Sequence, residues 1–264
     1  MHTHTHAHPH EDGTPASRFD RAFAVGVALN AGFVLVEWIA GVFANSLALI
    51  ADASHNLGDV LGLLLAWGAA ALARRRPSSR FTYGLRSSTI LAALANAALL
   101  LVITGGIAWE AILRFRHPAQ VDAPLVIGVA VLGMLINTAT ALMFLSGRKR
   151  DLNLRGAYLH LAADAAVSAG VAVAGVLTLA TGWIWIDPVM SLVIVTVILA
   201  GTAGLLRDAT RLALHAVPEG VDPARVRRML EQQPGVSEVH DLHIWGMSTT
   251  ETAMTAHLVM PDGH

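Results

Sequence analysis

Residues 48–73 read ALIADASHNLGDVLGLLLAWGAAALA. The run is long and apolar enough to cross a bilayer as a helix, which takes about 20 residues. Yet it carries Asp52, His55 and Asp59. Ionisable groups inside such a run are costly, so each demands an explanation. His55 and Asp59 are four apart, which sets them on one helix face, about 6 Å from each other. Asp52 precedes His55 by three and shares that face.

Five further apolar runs surround this one, giving six expected spans at about 20–44, 48–73, 87–113, 121–146, 157–181 and 185–206. Only 14% of residues are charged and 54% are hydrophobic, where a soluble domain carries roughly a quarter charged. The apolar residues fall in blocks, as a membrane chain requires. The first two spans are separated by Ala44-Asn45-Ser46-Leu47, which predicts a tight helical hairpin. The last two are joined through Trp183 and Trp185, whose indoles suit a membrane–water interface.

Placing the N-terminus inside puts all but Arg114 and Arg116 of the 18 Lys and Arg residues on the cytoplasmic face. That bias sets the orientation and predicts both termini to be cytoplasmic. The N-terminus has no short basic segment leading into an apolar core, so no cleavable signal peptide is expected. The net charge of −1 points to no partner, and no nucleic-acid partner is expected. With no cysteine, disulfides and thiolate metal sites are excluded.

The expected organisation is a His-rich tail over 1–17, a transmembrane domain over 18–212 and a cytoplasmic domain over 213–264. In the last, Asp222 and Pro223 read as N-cap and first helical position. Two strand-like runs, VSEVHDLHIW and TAMTAHLVM, flank a polar GMSTTE turn. A helix and one hairpin bury little, so this domain is expected to be truncated or completed by a partner.

The fifth span repeats the device of the second, with His160 and Asp164 again four apart. Two imidazoles and two carboxylates facing one another form an N₂O₂ set, tetrahedral if the helices pack closely. Such a set suits Zn²⁺ or Co²⁺. Ala53, Ser54, Gly58, Ala162, Ala163 and Ala165 permit a close approach. A lone membrane His or Asp is as readily an interhelical hydrogen bond, but two matched pairs on separate spans favour a metal. An imidazole binds metal only when neutral and, free, titrates near pH 6.5. One site exchanging a metal ion for protons can therefore be driven by a pH gradient.

These residues carry a family resemblance. The run from Asn45 through Asp52 and His55 to Asp59 resembles the second-helix signature of the cation diffusion facilitators. Phe81-Thr82-Tyr83-Gly84, Glu110-Ala111-Ile112 with Arg114-Phe115, the His160/Asp164 pair and His240-Asp241-Leu242-His243-Ile244-Trp245 resemble theirs as well. The likeness is nearest to the zinc-type bacterial branch. It implies an all-α membrane protein, a six-transmembrane-helix bundle followed by a partial α+β (ferredoxin-like) cytoplasmic domain. It further implies a homodimeric antiporter in the bacterial cytoplasmic membrane, exporting Zn²⁺ against protons, with Co²⁺, Cd²⁺ and Ni²⁺ as other candidate ions. By that resemblance His55, Asp59, His160 and Asp164 are the transport ligands.

Asp52 reads as a carboxylate orienting His55 or as a group near the pore mouth. Glu37 and Asn30, on one face of the first span, and Asn96 and Asn137 read as interhelical hydrogen-bonding groups. Lining the cation path is a second reading for Glu37. His2, His4, His6, His8 and His10 alternate with small residues and read as a tail that captures metal weakly, or as a dispensable one. Centring the hairpin turn between Ser248 and Thr249 sets His240 opposite His257, about 5 Å apart at Cβ. The resemblance points to the same two as cytoplasmic metal ligands. His243 then belongs to the other strand face, and His117 and His215 read as surface residues.

Three rival functions are disfavoured. An intramembrane metalloenzyme would need an open metal position, which four protein ligands do not leave, and no HExxH motif is present. A membrane metal sensor or scaffold needs no ligands at mid-membrane. A passive channel favours weak, multiple sites over one strong one. No enzymatic activity is expected.

Overall fold

The computed structural model describes residues 31–117, 119–145 and 152–261. The described part of the first helix, α1, is Ala31–Phe43. It is followed by α2 (Leu47–Ala73), α3 (Ser88–Arg116), α4 (Ala123–Phe144), α5 (Leu152–Thr181) and α6 (Ile186–Ala213). A short helix, α7 (Pro223–Glu231), precedes two strands, β1 (Glu238–Gly246) and β2 (Thr252–Val259). Five of these helices, α2 to α6, are long and apolar enough to cross a membrane. In hydrocarbon a helix meets all its backbone hydrogen bonds internally, which is why apolar runs of this length take that form. Residues 20–30 of the first expected span lie outside the described residues.

Two helices outrun their apolar runs. α5 begins at Leu152 rather than near 157, and α6 continues to Ala213 rather than ending near 206. Arg155 at one end and Arg207 and Arg211 at the other are good helix formers that hydropathy discounts. Apolar length marks the membrane, not the helix end.

The chain forms two units. The first runs to Asn56 and includes Leu113–Ser191; the second comprises Leu57–Ile112 and Leu192–His264. In the first, α4 and α5 pack along their length. Small residues make this possible: a Cβ on Gly175 would lie 2.8 Å from Ile127, and one on Gly133 would lie 2.8 Å from Phe33 of α1. The α1–α2 connection is three residues long, with Asn45 at φ 53°. In the second unit, Gly58 and Gly62 of α2 face α3. A Cβ on Gly58 would overlap the Leu100 side chain, and one on Gly62 would come 2.8 Å from the Asn96 amide. Gly58 therefore serves the α2–α3 contact, a closeness that small residues four apart allow.

Also in the second unit, the Asp222 carboxylate accepts from Ala224 N at 2.9 Å, capping α7 with Pro223 in its first turn. β1 and β2 form an antiparallel pair. Their connecting loop closes through Met247 N donating to Glu251 O at 2.8 Å, with the Ser248 hydroxyl accepting from Thr250 N and Glu251 N. The tip of this hairpin docks on the start of α3. Arg86 pairs with Glu251 at 2.8 Å, and Thr249 N donates to Thr89 Oγ1 at 3.1 Å.

Candidate metal centre

The helical period sets the first site. On α2, Asp52 and His55 lie within the first unit, and Asp59 follows His55 by one turn on the same helix face. On α5, His160 and Asp164 are again one turn apart. The Asp164 carboxylate is buried, and both imidazoles approach it from different helices. His160 Nε2 lies 3.5 Å from one oxygen and His55 Nε2 lies 4.0 Å from the other. The two rings meet edge to face, with centroids 6.2 Å apart.

A tetrahedral ion with bonds of about 2.0 Å to oxygen and nitrogen holds its ligand atoms roughly 3.3 Å apart. The His–Asp separations sit just above that spacing. The three are not drawn together as one set, since their ligand atoms do not all lie within 4.8 Å of one another, so holding one divalent cation would require the rings to move inward.

Behind this set, Asp52 is almost fully buried and accepts a hydrogen bond from Ser168 Oγ at 3.1 Å. Ser168 is itself fully buried, one turn beyond Asp164. Asp52 thus ties α2 to α5 beside His55 and Asp164. Sequence reading misses Ser168, although its position four residues after Asp164 continues the same face. Glu37 on α1 is fully buried and has Asp52 as its foremost charged neighbour. Asn137 is buried on α4. Asn96 Oδ1 is buried with no hydrogen-bond partner among the described residues, so that atom does not make the interhelical bond expected of the side chain.

The second site follows strand register. His240 pairs with His257, as the turn position predicts, but the route differs. Next to the turn the pairs are Gly246 with Thr252 and Trp245 with Ala253, which centres the turn on Thr249. That register alone would set His240 opposite Leu258. An irregularity between His240 and His243 opposes two residues of β1 to one of β2 and restores the His240–His257 pair.

The bulge has two further effects. His243 pairs with Thr255, two residues from His257, so it shares the face of His240 rather than lying on the opposite one. Asp241 adopts φ 49°, a left-handed conformation that Asp tolerates better than most residues. Its carboxylate reaches both rings, 3.4 Å from His240 Nδ1 and 3.2 Å from His257 Nδ1. The imidazole centroids are 5.2 Å apart. Among the described residues, these three are the one His/carboxylate group whose ligand atoms all lie within 4.8 Å. All three are exposed. Asp241 is the member that sequence reading misses, because only the bulge turns it toward the histidines.

His2, His4, His6, His8, His10 and Asn30 lie outside the described residues. His117 and His215 are exposed, as expected, and His215 closes α6 at φ 58°.

Comparison with known proteins agrees with this architecture. Residues 23–212 match the cation efflux transmembrane domain, and residues 218–264 match the cation efflux protein cytoplasmic domain. The chain is 38% identical to the zinc transporter ZitB of Escherichia coli (strain K12), over all of this chain and 83% of that protein. It is 37% identical to the cation efflux system protein CzcD of Alcaligenes sp. (strain CT14), over 91% of this chain and 76% of the relative. It is 34% identical to a cadmium, cobalt and zinc/H(+)-K(+) antiporter of Bacillus subtilis (strain 168), over 88% and 75%. These relatives are transporters rather than enzymes, which removes the metalloenzyme reading. The chain belongs to the cation efflux family of multi-pass membrane transporters, the cation diffusion facilitators.

Proposed function

We propose that the protein exports Zn²⁺ in exchange for protons, by alternating access of one site built from His55, Asp59, His160 and Asp164. The observation that carries this reading is the buried Asp164 carboxylate, bracketed at 3.5 and 4.0 Å by imidazoles from two membrane helices. Asp59 enters as the fourth ligand because it lies one turn from His55 on the same face of α2. Protons and metal compete for the same imidazole nitrogens, so acid on the receiving side discharges the ion there. Asp52, held by Ser168, keeps α2 and α5 at the spacing the ligands need, with Glu37 behind it. Co²⁺, Cd²⁺ and Ni²⁺ satisfy the same donors less selectively.

In this reading a His-rich tail (1–17) precedes a membrane domain (18–212) and a cytoplasmic domain (213–264). The protein works as a homodimer in a bacterial inner membrane, with both termini in the cytoplasm. The clustering of Lys and Arg supports that orientation. His240, His257 and Asp241 form a cytoplasmic Zn²⁺ site with a regulatory role, and the tail captures metal weakly through His2, His4, His6, His8 and His10.

Uptake of ⁶⁵Zn²⁺ into proteoliposomes under an imposed pH gradient tests the reading. Wild-type protein should accumulate zinc, and His55→Ala combined with Asp164→Ala should not. Undiminished transport in that double variant would refute the assignment. A sensor that does not transport would bind zinc at the hairpin and give no uptake at all.

A further inference from the structure

The first turn of α2 is capped only in part by its own sequence. An isolated helix leaves its leading N–H groups without partners, and at a membrane end water is a poor substitute. Ser46 Oγ accepts from Leu49 N at 3.2 Å and so covers the third residue of the helix. The first two are covered from a distant part of the chain. Asp187, at the start of α6, accepts from Leu47 N at 2.8 Å and from Ala48 N at 3.4 Å, and from the Ser46 hydroxyl itself. Its carboxylate is almost entirely buried, and its negative charge lies against the positive end of the α2 dipole.

A third element closes the arrangement. Arg114, near the end of α3, lies 3.8 Å from Asp187 and donates to both the backbone and side-chain oxygens of Asn45. The α1–α2 turn is therefore gripped by α3 and α6 together, at the end of the helix that carries Asp52, His55 and Asp59.

We infer that Asp187 is a positioning residue for the metal centre, fixing the axial register and rotation of α2 through a cap supplied by α6. The inference rests on the metal-site reading above. Its physical basis is the helical repeat, since a slip of one residue along α2 turns its face by about 100°. His55 would then leave Asp164, and Asp52 would leave Ser168. A cap that meets the first two N–H groups and the capping serine admits one register only. Asp187 touches no metal in this scheme and acts entirely through α2.

The test uses full-length protein in detergent and in proteoliposomes, with Co²⁺ as the spectroscopic probe. Tetrahedral Co²⁺ absorbs intensely in the visible, and the band reports ligand geometry rather than folding. Wild type should show the band, and the part of it that His55→Ala abolishes belongs to the membrane site. The hairpin histidines account for any remainder.

Asp187→Asn keeps the shape of the side chain but loses the charge and one acceptor. It should weaken or shift the His55-dependent band and lower ⁶⁵Zn²⁺ transport by about tenfold, the lower end of what groups supporting metal ligands are worth. Ser46→Ala, which removes one of the bonds with little risk to folding, should move both readouts in the same direction by less. A wild type without a His55-dependent band overturns the metal-site reading and this inference with it. A normal wild-type band together with unchanged band and rate in both Asp187→Asn and Ser46→Ala overturns this inference alone.

Discussion

The protein has two sets of histidine and aspartate, built on opposite structural logics. In the membrane set, His55, His160 and Asp164 hang from long helices, and the central carboxylate is buried. In the hairpin set, His240, Asp241 and His257 sit on two strands and all three are exposed. The membrane set depends on helix register, held by packing and by contacts such as Asp52 with Ser168. The hairpin set depends on one extra residue in β1. The hairpin set is the tighter of the two, yet it has water on hand to replace a lost ligand. A buried site has none, so removing a ligand there leaves uncompensated charge in a medium that penalises it.

That contrast orders the expected effects. Asp164→Asn should reduce ⁶⁵Zn²⁺ transport by more than about 100-fold, beyond the range for groups that merely support ligands. Residual transport near wild type would break the distinction between the sets. His257→Ala should remove one zinc equivalent per chain in calorimetric titration while leaving the maximal transport rate close to wild type. A matching collapse in transport would make the hairpin set part of the translocation path.

A finer test removes the bulge. Deleting Leu242 makes β1 regular and keeps His240 opposite His257, but it turns Asp241 to the other face. Zinc affinity at the hairpin should then fall to the level of Asp241→Ala, and equal affinity to wild type would show that Asp241 contributes nothing. The smallest effect is expected away from both sets. Asp222→Ala removes the α7 cap and should cost about 1 kcal/mol of domain stability by thermal unfolding, with neither metal site altered.

Much of the membrane site is legible in the sequence because helices repeat every 3.6 residues. Two pairs spaced by four, His55/Asp59 and His160/Asp164, announce a face without any tertiary information. Ser168 extends that face and lies within reach of the same reasoning. Asp187 does not, since its role depends on α6 meeting the start of α2, some 140 residues earlier in the chain. The hairpin is half legible. Its strands and turn follow from alternation and polarity, but a bulge leaves almost no trace in sequence. The His240–His257 pair is therefore expected from a turn centre that is off by half a residue, compensated by an irregularity that also brings in Asp241 and His243.

The docking of the hairpin tip on α3 has a mechanical corollary. The hydrogen bonds of an antiparallel pair run across it and tie the two strands together. Arg86 and Thr89 hold that ribbon at its tip, and α7 holds it near His240, where Arg227 donates to the Val239 backbone oxygen, so it is a strut fixed at both ends rather than a free flap. The histidines lie about seven residues from the tip contacts, roughly 23 Å at about 3.3 Å per residue. A displacement at the histidine end is thus shared between α7 and the first turn of a membrane helix.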